Sequence, residues 1–155
     1  MKLDSRLSRM LHILVHMARA DGPITSQAAA EMLDSNAVVV RRTMAGLRDA
    51  GLVQSVKGHG GGWTITADPD QVTMLQVYRA VGEPRIFSIG LADPNPDCLV
   101  EQAVNASMRA ALKEAETALV ARLGEVTLAD IADDFERRFA MLDEEAKSAW
   151  RNSGK

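Results

Sequence analysis

The chain has 155 residues, 46% apolar, 25% charged and 4% aromatic, enough for one domain with a real core and outside the compositions of disordered, collagenous or purely coiled-coil chains. No apolar run approaches the roughly 18 residues of a membrane span, the opening Met1-Lys2-Leu3-Asp4-Ser5-Arg6 lacks a secretory pattern, and the single cysteine, Cys98, excludes an internal disulfide framework, so a cytoplasmic protein is expected. Net charge is −3, divided as +3 over residues 1–66 and −6 over residues 67–155, and a cationic front half suits an anionic polymer.

From Ser5 to Ala20, Leu7, Met10, Leu11, Leu14 and Met17 recur at three-and-four spacing and predict an amphipathic helix, stopped by Asp21-Gly22-Pro23. Thr25 or Ser26 can cap a short second helix, Gln27 to Leu33. Asp34-Ser35-Asn36 breaks the chain and offers a side-chain oxygen to a third helix, about Ala37 to Ala50, which Gly51 ends. Val40, Met44 and Leu47 form one stripe of that helix and should face a core. Arg41, Arg42, Ala45 and Arg48 lie opposite. Two helices joined by a tight turn, the second cationic on its outer face, resemble a helix-turn-helix. A merely solvated arginine face is the plainer reading.

Leu52 to Val56 and Trp63 to Thr66 read as strands joined by Lys57-Gly58-His59-Gly60-Gly61-Gly62. A glycine hairpin directly after a recognition-type helix is the wing of a winged helix. Its glycines allow close backbone approach to a large partner, with Lys57 supplying charge and His59 a donor for phosphate. The loop lacks the Gly-Lys-Ser/Thr ending of a nucleotide-binding P-loop. A hairpin without any ligand is the plainer alternative.

Thr73-Met74-Leu75-Gln76 is a capping box that opens a fourth helix to about Val81. Gly82 to Pro96, with Pro84, Pro94 and Pro96, is a long loop, more often functional than idle. Leu99 to Leu123 then predicts a helix of roughly 37 Å, which Gly124 closes. Its seam, Val104, Met108, Leu112, Ala115, Leu119 and Leu123, outruns what a small domain can cover and calls for a partner, most simply its own copy. An intramolecular hairpin with the tail helix is the competing arrangement. Thr127-Leu128-Ala129-Asp130 opens a last helix bearing Ile131, Phe135 and Phe139. The polar tail from Asp143 to Lys155, with its one aromatic Trp150, is expected to fray.

Val38-Val39-Val40-Arg41-Arg42, Leu47-Arg48-Asp49-Ala50-Gly51-Leu52-Val53 and Gly58-His59-Gly60-Gly61-Gly62-Trp63 resemble the Rrf-two family of bacterial transcription regulators. The likeness continues through Leu75 to Val81 and Asn95-Pro96-Asp97-Cys98, to about Phe135. It implies a mainly α fold with a small β-hairpin wing: a winged helix-turn-helix DNA-binding domain (1–82), a sensor loop (83–97), and a dimerisation helix with a C-terminal helix (98–155). It implies a homodimeric repressor on a near-palindromic duplex site, with no membrane partner. Major-groove recognition then falls on Asn36, Val38, Val39, Arg41 and Arg42, with Arg48 on the same cationic face. Minor-groove or backbone contact falls on Lys57, His59, Gly60 and Gly61. Many members carry Arg where Lys57 stands, and Lys keeps the charge without the planar fork.

Cluster-binding members place three cysteines before the long helix. Here only Cys98 stands, at the position of the last, and Glu101 replaces a histidine ligand, so no iron–sulfur cluster or other cofactor is expected. A rarer arrangement in the family takes a carboxylate and a histidine from the partner's first helix. His12 fits that role, giving a metal alternative with Cys98, but Ser8 occupies the carboxylate position. The resemblance selects the thiol-bearing branch, with Cys98 as an oxidant or electrophile sensor at a helix start that favours thiolate. An inert cysteine is the plainer reading.

His12 and His16 are four apart and share a face; with no third ligand in view, a packed or solvent-edge pair is expected rather than a metal site. An enzyme with Cys98 as nucleophile lacks a following histidine base. A winged helix used for protein assembly is a further alternative, separable by salt-dependent binding to random duplex.

Overall fold

The computed structural model describes residues 3–153; the first two and last two residues of the segments just outlined lie outside that span. Helix α1 (Arg6–Arg19) turns Met10, Ile13, Leu14 and Met17 inward. Helix α2 (Ser26–Met32) begins where the Thr25 hydroxyl accepts from the Ala28 N–H at 3.0 Å. Helix α3 (Ala37–Asp49) begins where Asn36 Oδ1 accepts from the Val38 N–H at 2.7 Å. Each cap satisfies a backbone donor that a helix start leaves unpaired. As the spacing predicts, Val40, Met44 and Leu47 are buried, each at 1% exposure or less, against Ile13 and Leu14 of α1 and Val77 of the next helix.

Strands β1 (Val53–Val56) and β2 (Gly62–Ile65) pair antiparallel, Val53 opposite Ile65 and Val56 opposite Gly62. The hairpin is also tied to the segment before α2. Trp63 N–H donates to the Ile24 carbonyl at 2.8 Å, and Ile24 N–H returns to the Trp63 carbonyl at 3.0 Å. The Trp63 indole N–H donates to Ser26 Oγ at 2.9 Å.

Both predicted capping boxes form: Thr73 with Gln76 at the start of α4 (Met74–Ala80), and Thr127 with Asp130 at the start of α6 (Leu128–Ala140). Helix α3 closes on the end of α4 through Gly46, where a Cβ would stand 2.5 Å from the Ala80 carbonyl oxygen.

Helix α5 (Leu99–Glu125) carries on through Gly124, contrary to the expected stop. The helix runs one residue further, to Glu125, with Val126 extended as its C-cap just before the next capping box. The chain then returns to the winged unit. Leu128 N–H donates to Val72 O and Met74 N–H to Val126 O, each at 2.9 Å. Helix α6 packs along α1, not along the α5 seam, so the competing hairpin arrangement is not formed among the described residues.

From Asp143 to Ser153 the tail does not fray as expected. Asp143 caps α7 (Glu144–Asn152), and Trp150 packs on Phe135 and Phe139 with ring centroids 5.1 and 5.3 Å away. An aromatic cluster of this kind fixes a helix whose other faces are polar.

Candidate nucleic-acid interface

The first turn of α3 projects two large apolar side chains into solvent, Val38 at 56% and Val39 at 50% exposure. Isolated valines so placed are suited to apolar contact with a thymine methyl. Arg41 and Arg42 follow on the exposed face. Among the described residues neither pairs with a carboxylate, whereas Arg48, a further two turns along, is held by Asp49 at 3.0 Å. The three arginines of the predicted face are therefore not equivalent: Arg48 sits at the helix end with its charge partly met.

Arg41 lies in a cleft of about 400 Å³ whose walls are Ser26 and Gln27 of α2 and Ser55, Gly58 and Gly61 of the hairpin. The cleft brings the start of α2, the outer face of α3 and the wing together. Lys57, His59 and Gly60 stand exposed at the hairpin tip. Gly61 is required by contact: a Cβ there would strike the Val56 carbonyl oxygen, so the wing can turn this tightly only with glycine. Asn36 Oδ1 is held by the α3 cap, and its amide N–H groups carry no bond among the described residues.

Sequence reasoning missed Arg9 and the Ser26–Trp63 bond. Arg9 of α1 donates from Nη1 to Ser35 Oγ at 3.0 Å and stands beside Val39 and Thr43, close to the recognition helix. No periodicity marks a contact spanning 26 residues.

The pattern of the family described as "Rrf2: Iron-dependent Transcriptional regulator" matches residues 3–134. The chain belongs to the Rrf2 family. It is thus a DNA-binding transcriptional regulator, and its relatives are regulators, not enzymes. It is similar to YwnA of Bacillus subtilis, by name an HTH-type transcriptional regulator, at 29% identity over 129 residues, 83% of this chain and 96% of that one. CymR of Bacillus subtilis, the global cysteine regulator, has a solved structure at TM-score 0.56 and 25% identity, covering 86% of this chain and 97% of that one. The T. potens IscR structure, at TM-score 0.65 and 20% identity over 93% of each chain, shares the fold. Among the described residues no helix is long and apolar enough to cross a membrane.

Among the described residues no three His, Cys, Asp or Glu side chains gather where they could hold one metal ion. Cys98 stands exposed at the N-cap of α5. The amides of Glu101 and Val100 pull its thiol below the ordinary range, although neither closes into a formed cap bond. The preceding loop is pinned to α5 by three donors: Gln102 Nε2 to Pro96 O at 3.0 Å, Asn105 Nδ2 to Asp93 O at 2.7 Å, and Arg109 to Pro94 O. Asn105 is almost wholly buried, at 4% exposure. Residues 93–96 are therefore strapped along α5.

The predicted α5 seam is graded. Leu123 is buried, Met108 and Leu112 are half-buried, Ala115 is exposed, Leu119 is 39% exposed and Val104 50%, while Leu99 and Val100 near the helix start reach 78% and 72%.

His12 and His16 do share a face, with Nε2 atoms 3.1 Å apart. The His16 ring lies parallel to Trp150 at 6.5 Å. Burial first, then the charges of His12 and Arg19, hold His16 below the usual imidazole range.

Proposed function

We propose that this Rrf2 chain acts as a homodimeric repressor that reads a near-palindromic duplex with α3 and the hairpin, without an iron–sulfur cluster. The observation that carries the reading is Arg41, unpaired with any carboxylate among the described residues and placed in the cleft shared by α2, α3 and the wing. Arg41 and Arg42 would read base edges in the major groove, with Val38 and Val39 beside them, while Lys57, His59 and the backbone of Gly60 and Gly61 meet phosphate or the minor groove. The apolar seam of α5 supports pairing with a second copy, which would set the spacing of two recognition helices.

Cys98 is the switch in this reading. Its thiolate takes an oxygen from a peroxide, giving a sulfenic acid and hydroxide. Condensation with a second thiol, such as Cys98 of a second copy, then gives a disulfide and water. The strap held by Gln102, Asn105 and Arg109 would pass that change to α5.

Anisotropy titrations against the promoter of its own gene and against random duplex, in rising salt, test the DNA reading. Both should weaken with salt, and Arg41→Ala or Arg42→Ala should cost about 1–3 kcal/mol on the specific site. Unchanged affinity in both variants would remove α3 from the role. Absence of salt-dependent binding would favour a protein-assembly module. Sedimentation tests the dimer. Peroxide should release wild-type protein from its site and leave Cys98→Ser bound.

A further inference from the structure

Helix α3 has two flanks, and only one of them faces the wing. At ~100° per residue, Val38 and Arg42 point directly away from the core stripe of Val40, Met44 and Leu47. Ala37 and Arg41 turn to one side and line the cleft shared with the hairpin. Val39 and Thr43 lie about 200° round the helix from them, on the opposite side. There they face α1 across a second cleft, of about 370 Å³.

A helix in the major groove runs between two phosphate backbones, and phosphate contacts on its flanks fix its register there. On the wing side Lys57 supplies the cation. On the α1 side two arginines line the cleft, Arg6 and Arg9. Arg6 is committed: its Nε and Nη2 meet Asp4 Oδ2 at 3.0 and 2.6 Å, and its Nη1 donates to the Val81 carbonyl at 2.9 Å. The same pairing neutralises Asp4, the one carboxylate of that lining among the described residues. Arg9 meets no carboxylate among the described residues. Its Nη1 donates to Ser35 Oγ at 3.0 Å, which holds the half-buried guanidinium beside Val39 and leaves Nε and Nη2 without a partner among the described residues. Ser35 accepts that bond, so its own O–H remains a donor. An arginine already held in place loses less freedom on meeting a phosphate than a free side chain does.

We propose that Arg9 clamps a DNA phosphate on the α1 side of α3, on the strand across the groove from the one Lys57 meets, with the Ser35 hydroxyl as a second donor. Each copy then grips both walls of the groove, and the contact sets the angle at which Val38 and Arg42 enter it. The assignment rests on the reading that places α3 in the major groove.

Anisotropy titrations of the full chain in rising salt, on the promoter duplex and on random duplex, test the clamp. Arg9→Gln should weaken both duplexes about tenfold and make the slope of log affinity against log salt shallower by about 0.9 per copy. Arg9→Lys keeps the charge, so the slope should stay at the wild-type value while affinity falls only a few-fold. Neutral methylphosphonate linkages, placed one at a time along each strand, locate the contact. In wild type, linkages on both strands that border the groove should weaken binding. Those on one strand should lose their effect in Lys57→Ala, and those on the other in Arg9→Gln. Urea unfolding verifies that the variants are folded. An affinity loss in Arg9→Gln at unchanged slope means that Arg9 only braces the fold, and overturns the proposal. So does a wild-type scan in which every sensitive linkage lies on one strand, a result that needs no Arg9 variant. If Arg41→Ala and Arg42→Ala weaken the promoter complex while Arg9→Gln does not, the clamp falls and the groove reading stands. If wild type binds no duplex even in dilute salt, both fall.

Discussion

The hydrogen bond between the Trp63 indole and Ser26 gives the sharpest test of how the wing is aimed. Ser26→Ala removes one oxygen. Trp63 is only 7% exposed, so its N–H loses the 2.9 Å bond with little access to water in exchange. An orphaned buried donor costs about 1–3 kcal/mol. Ala is the better helix former by a few tenths, so the net loss is about 1–2 kcal/mol, and Tm falls by about 2–4 °C per kcal/mol in a chain of this size. Trp63→Phe instead removes the donor and part of the packed ring, leaving the half-buried Ser26 hydroxyl to turn towards solvent. In that background Ser26→Ala orphans nothing, so it should cost about 1 kcal/mol less than in wild type. Urea unfolding of the four proteins measures the coupling directly. Ser26→Ala should also weaken promoter binding a few-fold with Arg41 and Lys57 intact, because the hairpin hangs on the Ile24–Trp63 pairing that this bond braces. Losses that add within about 0.3 kcal/mol would refute the reasoning.

Lys57→Ala should weaken specific and random duplex alike and reduce the slope of log affinity against log salt by about 1 per chain; an effect confined to one sequence would place Lys57 on a base. Gly46→Ala gains about 1 kcal/mol of helix propensity, but its Cβ meets the Ala80 backbone oxygen at 2.5 Å, and overpacking against backbone costs about 1–3 kcal/mol. A net loss of stability by urea unfolding is expected, and a stabilised variant would show that α3 and α4 slide apart freely. The depressed His16 pKa means that the unfolded chain binds its proton first as pH falls through the ordinary value of 6.5, so stability is fully present above that value, declines below it and levels off once folded His16 also titrates. His16→Gln should flatten unfolding free energy between pH 7 and the onset of carboxylate protonation near about pH 4.

The winged unit was legible because its signals are local. Val40, Met44 and Leu47 recur at helical spacing, Thr25 and Asn36 stand at cap positions, and a glycine run between two short apolar strands allows few shapes. The two capping boxes were legible for the same reason. Gly124 reads as a stop, yet α5 continues past it to Glu125, and the chain turns only at Val126 before the Thr127 capping box. What else was missed depends on tertiary partners. Trp150 reads as a lone aromatic in a polar tail until Phe135 and Phe139 lie beneath it. Gln102, Asn105 and Arg109 do share one stripe of α5 by spacing. Polar side chains at those intervals look like a solvated face until the carbonyls of Asp93, Pro94 and Pro96 accept from them.

The charge of the chain shows why total charge is a poor guide to a DNA-binding face. The acidic rear half contains many cations, but Arg122, Arg137, Arg138 and Lys147 each lie against a carboxylate on their own helix. Arg41, Arg42 and Lys57 have none among the described residues, and they share the side of the chain formed by α3 and the hairpin. A net charge of −3 is then compatible with a locally cationic surface, because pairing offsets these four rear cations while Arg41, Arg42 and Lys57 stay unpaired among the described residues. The arithmetic is testable. If all three cations of each of two copies neutralise phosphates, the salt slope approaches about −5, and each one that reads a base instead lowers it by about 0.9. A slope near −5 that Arg41→Ala and Arg42→Ala leave unaltered would mean that cations outside α3 hold the duplex.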